Sequence, residues 1–355
     1  MTHYTERELN QVIRLFHEEI PASANVEEIR FSDDDSRWVI FIENSAGKYV
    51  IKAARNGFTN AERINAWPSL INTLASAGCY SPGIIRGLNG EYAQNAVFGG
   101  RDCVVWEEEF AKYTVANDDI VRDTYANDII EIHAKIAAMG IDGFPGVSGW
   151  ARFTPFGADE TQDEVQDCFD EFDAGVNECS DDIRRRWAVI RQIWLQNRDR
   201  LAAIYHALPR SAYQGDWNAL NVLLYENGSF KGLIDYNLAG EDVNINIFMS
   251  MLLFAFSWVE TATPEGMLED LNRMHLDKRM DKLLDRLKLF RSHYKFCEDE
   301  VVAAKMLFRY IYTVGYSEIS ALNEYKNDAV KLNLLMDYIK YALTAEYDFR
   351  SAMLL

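Results

Sequence analysis

The stretch YQGDWNALNVLLYENGSFKGLIDYN, residues 213–237, contains two short apolar segments separated by polar loop residues. NVLL and FKGLID have the composition of strands, and the intervening ENG, residues 226–228, is typical of a turn. A tight hairpin brings the start of its first strand beside the end of its second. The sequence therefore predicts that Asn221 and Asp235 lie together, with Asp216 just outside the hairpin.

These three side chains need an explanation, because Asp and Asn are depleted in strands. Turn chemistry alone could account for them. Their oxygens also suit Mg²⁺, which is usually held by one or two carboxylates together with substrate phosphates. On that reading Asn221 and Asp235 are the metal ligands, and Asp216 accepts a proton from an attacking hydroxyl group.

The motif QGDWNALNVLL…GLIDYN resembles the signature of the aminoglycoside phosphotransferase and choline kinase superfamily. The positions that match, at the spacing of that family, are Gly215, Asp216, Asn221, Val222, Leu223, Gly232, Ile234 and Asp235. The resemblance implies a protein-kinase-like fold. It also implies an ATP- and Mg²⁺-dependent kinase, a phosphotransferase with an alcohol group of a small molecule as acceptor.

The resemblance extends upstream to the segment YVIKAA, residues 49–54. In the family this strand carries the lysine that contacts the α- and β-phosphates, which selects Lys52. Lys48, in the preceding turn, is the competing lysine and is expected to be solvated. Glu62, on the next helix, is a candidate partner for Lys52, with an exposed helix residue as the alternative.

The segment VVWEEEFA, residues 104–111, falls where the family has its hinge. The resemblance implies that adenine bonds to backbone groups between Glu107 and Phe110, including those of Glu109. Because such contacts use the main chain, the side chains do not distinguish ATP from GTP.

The order of the predicted elements divides the chain into two parts. A helix over 4–18 and several strands come first, and long helical patterns dominate after residue 110. We predict an α+β chain with a small, β-rich nucleotide-binding lobe over 1–110. A large, mostly helical lobe over 111–355 would hold the catalytic loop and the substrate-binding helices.

Two features depart from the family pattern. Gln214 stands where the family has His, and we expect it to form hydrogen bonds in place of that loop-organising residue. The turn FSDDDSRW, residues 31–38, lacks Gly where a phosphate-covering turn is expected, which leaves Ser32, Ser36 or backbone N–H groups for the phosphates. These departures keep a nucleotide-binding pseudokinase as the alternative function. A protein kinase ranks lower, because the chain has no Gly-rich loop and no Ala-Pro-Glu segment.

The composition argues against some classes of binding partner. A formal net charge of −19 argues against nucleic acid and anionic membrane surfaces, which require basic patches. Five scattered Cys residues without a CxxC pair indicate a reducing cytoplasm. No apolar run reaches the roughly 18 residues of a membrane span, and the first residues do not form a secretory signal.

The acceptor is indicated only by charge. Residues 159–182 carry 11 acidic side chains and no Lys or Arg, where the family inserts substrate-binding helices. This segment favours a cationic acceptor such as an aminoglycoside or amino alcohol, whereas a solvated helix face is the alternative. Phe169 and Phe172 are expected to pack rather than bind a ligand. The oligomeric state stays open.

Overall fold

The computed structural model describes residues 4–30, 35–116, 123–148, 164–216, 218–255 and 273–355. The chain divides into two compact units. The first consists of Met1–Ile120, Ile141–Gly149 and Ala212–Glu241, and the second of Val121–Gly140, Trp150–Ser211 and Asp242–Leu355. Asp216 and Asp235 therefore belong to the same unit as Lys52. The lobe boundary at residue 110 stays a prediction.

The first unit is built on an antiparallel sheet with the strand order β1-β2-β3-β6-β4, and β5 pairs with β6. The strands are β1 (Ala24–Arg30), β2 (Ser36–Asn44), β3 (Gly47–Arg55), β4 (Ile84–Ile85), β5 (Gln94–Phe98) and β6 (Arg101–Glu109). A tight turn joins β2 to β3, because Asn44 Oδ1 accepts hydrogen bonds from the N–H groups of Ala46 and Gly47.

A helix covers one face of this sheet. This helix, α1 (Glu6–Ile13), begins at a capping box in which Thr5 and Glu8 bond each other's backbone N–H groups. Its buried residues Val12 and Ile13 join a core that includes Trp38 of β2. Alternate residues of β2 are buried, as expected for a strand with one face towards a core.

A second helix, α2 (Ala61–Ser76), begins at the N-cap Asn60, whose side chain accepts from the N–H of Arg63. Trp67 of α2 packs edge-on against Trp106 of β6, with ring centroids 5.3 Å apart. Trp106 lies directly opposite Lys52 of β3, and opposite residues of neighbouring strands point to the same face. The helix therefore packs on the face of the sheet that carries Lys52.

The predicted hairpin is present in the first unit. Its strands are β9 (Val222–Leu224) and β10 (Phe230–Leu233), and β7 (Thr114–Val115) pairs with the outer edge of β9. β8 (Arg210–Tyr213) and β11 (Gly240–Val243) form a separate two-stranded sheet.

The second unit is helical. Its described helices are α3 (Asp123–Met139), α4 (Glu164–Val176), α5 (Asp181–Tyr205), α6 (Asn244–Ala255), α7 (Arg273–Arg291), α8 (Glu298–Ile311), α9 (Tyr316–Glu324), α10 (Ala329–Thr344) and α11 (Phe349–Leu354). Phe169 of α4 stacks on Trp194 of α5 with ring centroids 3.7 Å apart, and Phe172 contacts Trp187. Both phenylalanines are packing residues, as predicted. The α+β class with a β-rich part and a helical part is confirmed.

None of the described helices combines the length and the apolarity needed to cross a lipid bilayer.

A buried carboxyl group lies before α6 in the second unit. Oδ1 of Asp242 accepts hydrogen bonds from Tyr205 Oη at 3.1 Å and from Asn246 Nδ2 at 3.0 Å. Oδ2 has no hydrogen-bond partner among the described residues. Burial raises the pKa of the Asp242 carboxyl to about 7, and the hydrogen bonds and the charge of Arg210 only partly oppose this rise. The fold therefore favours the neutral acid.

The raised pKa of Asp242 predicts a pH-dependent stability. Between about pH 4 and 7 the folded state holds a proton that the unfolded chain releases, so stability falls as the pH rises through this range. The total loss is on the order of 4 kcal/mol. We expect Asp242→Asn to raise the free energy of unfolding at pH 8 by about 2–4 kcal/mol, because a neutral amide keeps an acceptor oxygen. At pH 5, about one unit above the ordinary pKa of Asp, the gain should be only about one third of that at pH 8.

Urea unfolding at both pH values measures this difference. Asp285→Asn, an exposed substitution on α7, is the control and should change neither value. A gain from Asp242→Asn that is equal at pH 5 and pH 8 would contradict burial of an ionisable group.

Candidate active site

Lys52 is the centre of a group of charges in the first unit. Its Nζ lies 3.2 Å from Oδ1 of Asp235 and 3.2 Å from Oε1 of Glu108. Burial on its own would lower the pKa of the Lys52 ammonium. The two carboxylates outweigh burial and raise this pKa above its ordinary value. Lys52 is thus a permanent cation bound to Asp235, at a sequence distance of 183 residues.

The partner expected for Lys52 on α2 is replaced by a residue of β6. Glu62 is exposed, and the ion pairs of Lys52 are formed with Glu108 and Asp235. Glu108 is only 5% exposed, and its Oε1 also accepts a hydrogen bond of 2.7 Å from Trp106 Nε1. Strand pairing accounts for the change, because Trp106 is opposite Lys52 and Glu108 follows it on the same face. Lys48 was expected in the turn but belongs to β3, where it lies opposite Glu43 of β2 and its side chain is 58% exposed.

Gln214 connects the two halves of the candidate catalytic stretch. It is fully buried, and its Nε2 donates to the carbonyl oxygens of Ile234, at 2.8 Å, and Asp235. Its Oε1 accepts from the backbone N–H of Asp216 at 2.8 Å. The side-chain amide can donate and accept at the same time, which this position requires. The expectation that Gln214 forms hydrogen bonds that organise this loop is confirmed.

The residue before Asp216 must be glycine for two reasons. Gly215 has a φ of +84°, and a Cβ atom there would lie 2.0 Å from the carbonyl oxygen of Leu238. The backbone of the loop therefore passes directly against the segment that follows Asp235, at a distance that only glycine permits.

Asp216 is partly buried and held by its neighbour in the loop. Its Oδ1 accepts from Nδ2 of Asn218 at 3.0 Å and from the Asn218 backbone N–H at 3.3 Å. Burial raises the pKa of the Asp216 carboxyl, and the negative charge of Asp235 adds to the rise, whereas the hydrogen bonds oppose it. A carboxylate with a raised pKa is a stronger base than an exposed one.

Asn221 and Asp235 meet at the open end of the hairpin. The backbone N–H of Ile234 donates to the carbonyl oxygen of Asn221 at 2.9 Å, which places Asp235 one residue from this pairing. Nδ2 of Asn221 donates to the backbone oxygen of Asp216 at 3.4 Å, so its side-chain oxygen is the atom left for a cation. Asp235 has a φ of +63°, a conformation that costs a non-glycine residue free energy and occurs preferentially at functional sites.

The residues predicted for the hinge are engaged within the sheet. The N–H groups of Glu109 and Phe110 donate to the carbonyl oxygens of Gly83, at 2.9 Å, and Lys48, at 3.2 Å. Glu107 is fully buried, and its Oε1 lies 2.5 Å from Nε2 of His17. These N–H groups are therefore occupied within the sheet, and the predicted adenine contacts between Glu107 and Phe110 stay a prediction.

Parts of two predicted features lie outside the described residues: 31–34 of the phosphate-covering turn, with Ser32, and 159–163 of the acidic segment. Ser36 is described and buried, and it accepts a hydrogen bond of 3.1 Å from Arg101. The Ser36 hydroxyl is therefore engaged in a hydrogen bond within the sheet. Asp35 is likewise engaged, in an ion pair with Arg37.

Some carboxylates of the acidic segment already have partners within the protein. Asp173 binds Trp187 Nε1 at 2.6 Å and Arg191 at 3.0 Å, and Glu178 pairs with Lys326. Asp167, Asp170 and Glu171 are exposed on α4. The negative face of the helix is therefore smaller than its composition suggests.

Comparison of the sequence with family models gives no match, and comparison with curated proteins gives none either. The structure, by contrast, has similar solved structures over nearly its whole length. One is the amicoumacin kinase hAmiN in complex with AMP-PNP, Ca²⁺ and Ami, with 11% identity and a TM-score of 0.53 over 98% of this chain and 97% of that chain. Another is a microcompartment-associated aminopropanol kinase, with 11% identity and a TM-score of 0.50 over 94% of each chain.

At this identity the likeness shows the fold. It confirms the protein-kinase-like fold that residues 213–237 first indicated. By their names, these two neighbours are an amicoumacin kinase and an aminopropanol kinase.

Proposed function

We propose that this protein is a small-molecule kinase that transfers the γ-phosphoryl group of ATP to a hydroxyl group. The observation that carries this proposal is the ion pair between Lys52 and Asp235, 3.2 Å apart, on the two elements that the family motif predicts. In kinases of this fold a lysine and a metal-binding aspartate act on the same nucleotide phosphates. The amicoumacin kinase solved in complex with AMP-PNP supports a nucleotide as the phosphate donor.

The donor atoms around Asp235 fit Mg²⁺. Asn221 and Asp235 supply neutral and anionic oxygen, the ligand types that Mg²⁺ prefers. The described residues contain no cluster of three or more His, Cys, Asp or Glu side chains that could hold a metal alone. A site with only two protein ligands is what a metal shared with nucleotide phosphates requires. When bound, Mg²⁺ neutralises the charge of the phosphates.

The residues of the chain have separate tasks. The Lys52 ammonium group would exchange Asp235 for the α- and β-phosphates of the nucleotide. It would keep its ion pair with Glu108 throughout. Asp216 would orient the acceptor hydroxyl and take its proton as the new O–P bond forms. The bond between the γ-phosphorus and its bridging oxygen breaks, and ADP leaves. Because the transition state is loose, catalysis consists mainly of positioning and charge neutralisation.

We keep the adenine contacts at backbone groups between Glu107 and Phe110. The N–H groups of Glu109 and Phe110 would then exchange their bonds to Gly83 and Lys48 for bonds to the base. The acceptor is proposed to be an amino alcohol or aminoglycoside-like molecule. The exposed carboxylates Asp167, Asp170 and Glu171 support a cationic acceptor.

A direct assay tests the proposal. The protein is incubated with γ-labelled ATP and Mg²⁺ and a panel of amino alcohols, aminoglycosides and sugars, and labelled products are separated from ATP. We expect transfer to at least one hydroxylated amine and no transfer when Mg²⁺ is chelated. Nucleotide binding without transfer to any acceptor would favour the pseudokinase alternative.

Glu108 gives a prediction that the family pattern does not. We expect Glu108→Gln to lower kcat/KM for ATP by about 10-fold, mostly through a higher KM, because Lys52 loses the buried carboxylate that positions it. Glutamine keeps an acceptor for Trp106, so the sheet should remain intact. Glu109→Gln, one residue along and on the opposite face, is the control and should change kcat/KM less than about 2-fold. Equal effects of the two substitutions would remove Glu108 from the site.

A further inference from the structure

Arg63 of α2 is a buried cation in the first unit, only 2% exposed. Its Nη1 donates to the carbonyl oxygen of Phe58 at 2.8 Å, just before the helix. Its Nη2 and Nε donate to the carbonyl oxygens of Val147, at 2.5 Å, and Pro145, at 3.4 Å. The flat guanidinium group can hold several carbonyl oxygens at fixed angles, which a lysine ammonium group does not do. Arg63 therefore ties α2 to the segment 143–148.

The 143–148 segment lies against the start of β11. The N–H of Glu241 donates to the carbonyl oxygen of Gly146 at 2.9 Å. Oε1 of Glu241 accepts from two N–H groups of the segment, at 2.8 and 3.2 Å. A Cβ atom at Gly240 would lie 2.3 Å from the carbonyl carbon of Val147, so the two backbones are as close as glycine allows. The position of β11 therefore depends on where this segment is held.

The short stretch from Asp235 to Glu241 is fixed at both ends. At its first end, Gln214 donates to the carbonyl oxygen of Asp235. Its second end is paired with the 143–148 segment. Asp235 has a φ of +63°, which is unfavourable for a non-glycine residue and persists only where the surrounding contacts impose it. Loosening of the second end would therefore weaken the constraint on Asp235.

We propose that Arg63 is a positioning residue for Asp235. By holding the 143–148 segment, it fixes β11 and with it the backbone that would present the Asp235 carboxylate to Mg²⁺. The inference rests on the proposed function, and it gives α2 a role in the site through Arg63 instead of Glu62, whose side chain is exposed. Groups that orient a metal ligand without touching the metal commonly change its affinity about 10–100-fold when they are substituted.

The first test is the Mg²⁺ concentration that gives half-maximal binding of ATP, measured by calorimetric titration. We expect Arg63→Lys to raise this concentration about 10-fold, because lysine keeps the charge but cannot hold three carbonyl oxygens. In the Asp235→Ala background the same substitution should change it less than about 2-fold, since the ligand that Arg63 positions is gone. Val12→Ala, in the core that α1 forms, is the control for a general loss of stability and should leave the Mg²⁺ dependence unchanged.

A second variant covers the case in which Arg63→Lys does not fold. Glu241→Ala removes the acceptor of the N–H groups of Gly143 and Phe144 at a partly exposed position. It should raise the same Mg²⁺ concentration about 3-fold, because it loosens the 143–148 segment from its other side by the loss of side-chain hydrogen bonds.

Amide hydrogen exchange provides a readout without nucleotide. The N–H groups of Ser148 and Glu241 bond across the pairing of the 143–148 segment with β11. Arg63→Lys should accelerate their exchange about 10-fold more than that of Ile40 in β2, because the opening is local.

The outcomes separate this inference from the proposed function. If the unsubstituted protein binds no ATP with Mg²⁺, the proposed function fails, and the exchange rates decide whether Arg63 fixes the stretch that follows Asp235. Mg²⁺-dependent binding that Arg63→Lys and Glu241→Ala leave unchanged, or that Val12→Ala alters equally, would overturn the inference while the proposed function stands.

Discussion

Asp216→Ala should lower phosphate transfer by about three orders of magnitude, within the range that general base catalysis contributes. The carboxylate lies in the loop that Gln214 ties to Asp235, and no other described acid occupies this loop. The substitution removes the proton acceptor but neither the metal ligands nor Lys52. Binding of Mg²⁺-ATP should therefore change less than about 3-fold.

The measurement is single-turnover transfer to the best acceptor, combined with nucleotide titration. Glu226→Ala, an exposed residue in the turn of the same hairpin, is the control and should keep full activity. A rate for Asp216→Ala within 10-fold of the unsubstituted protein would show that this residue is not the base.

Gly232→Ala should destabilise the first unit by about 3 kcal/mol, the upper end of the range for overpacking, because backbone must move to admit a methyl group. A Cβ atom at Gly232 would lie 1.9 Å from the carbonyl oxygen of Tyr80. Tyr80 and Gly232 form a parallel bridge, and the N–H groups of Tyr80 and Leu233 bond across it. The hairpin cannot accept a side chain here without losing this contact, which explains the glycine of the motif.

Gly228→Ala, in the turn of the same hairpin, is the matched comparison. Gly228 has a φ of +80° and no atom within 4 Å of a Cβ, so only the backbone conformation opposes alanine, at about 1–2 kcal/mol. Urea unfolding of both variants measures the difference. Similar losses at the two positions would mean that the close approach to Tyr80 is not what requires glycine.

The hairpin could be predicted because its information is local. The turn at 226–228 and the flanking apolar segments set the pairing that brings Asn221 to Ile234 and so beside Asp235. Lys52 was selected from its strand and the family motif, whereas its ion pair with Asp235 joins residues 183 positions apart.

Glu108 could not be selected from the sequence, because its role depends on the register between two distant strands. Three consecutive glutamates occupy 107–109, and alternation along β6 sends Glu108 to Lys52 and Glu107 to His17. Only the pairing of Lys52 with Trp106 decides which glutamate faces the lysine. Alternation along β6 shows that Glu108 points to the face opposite to that of Glu107 and Glu109. It does not show which of these faces carries Lys52 unless the register between β3 and β6 is known.

Two further features also depend on residues that are distant in sequence. The N–H groups of Glu109 and Phe110 are bonded to the carbonyl oxygens of Gly83 and Lys48, which approach from other parts of the chain. In the sequence, Asp242 looks like an ordinary acidic residue near the start of a helix. Its burial depends on Tyr205, which is distant in sequence. Burial of a polar side chain by distant residues leaves no periodic pattern in the sequence.

The central claim is that Asp235 and Lys52 form a magnesium- and nucleotide-binding site. Its most direct test is calorimetric titration of the protein with ATP, first with Mg²⁺ and then with EDTA, repeated on Asp235→Ala. We predict saturable binding that requires Mg²⁺ and weakens at least about 10-fold in the variant, since the anionic metal ligand is lost. Binding of equal strength in the variant, or no binding of ATP or GTP under either condition, would contradict the claim.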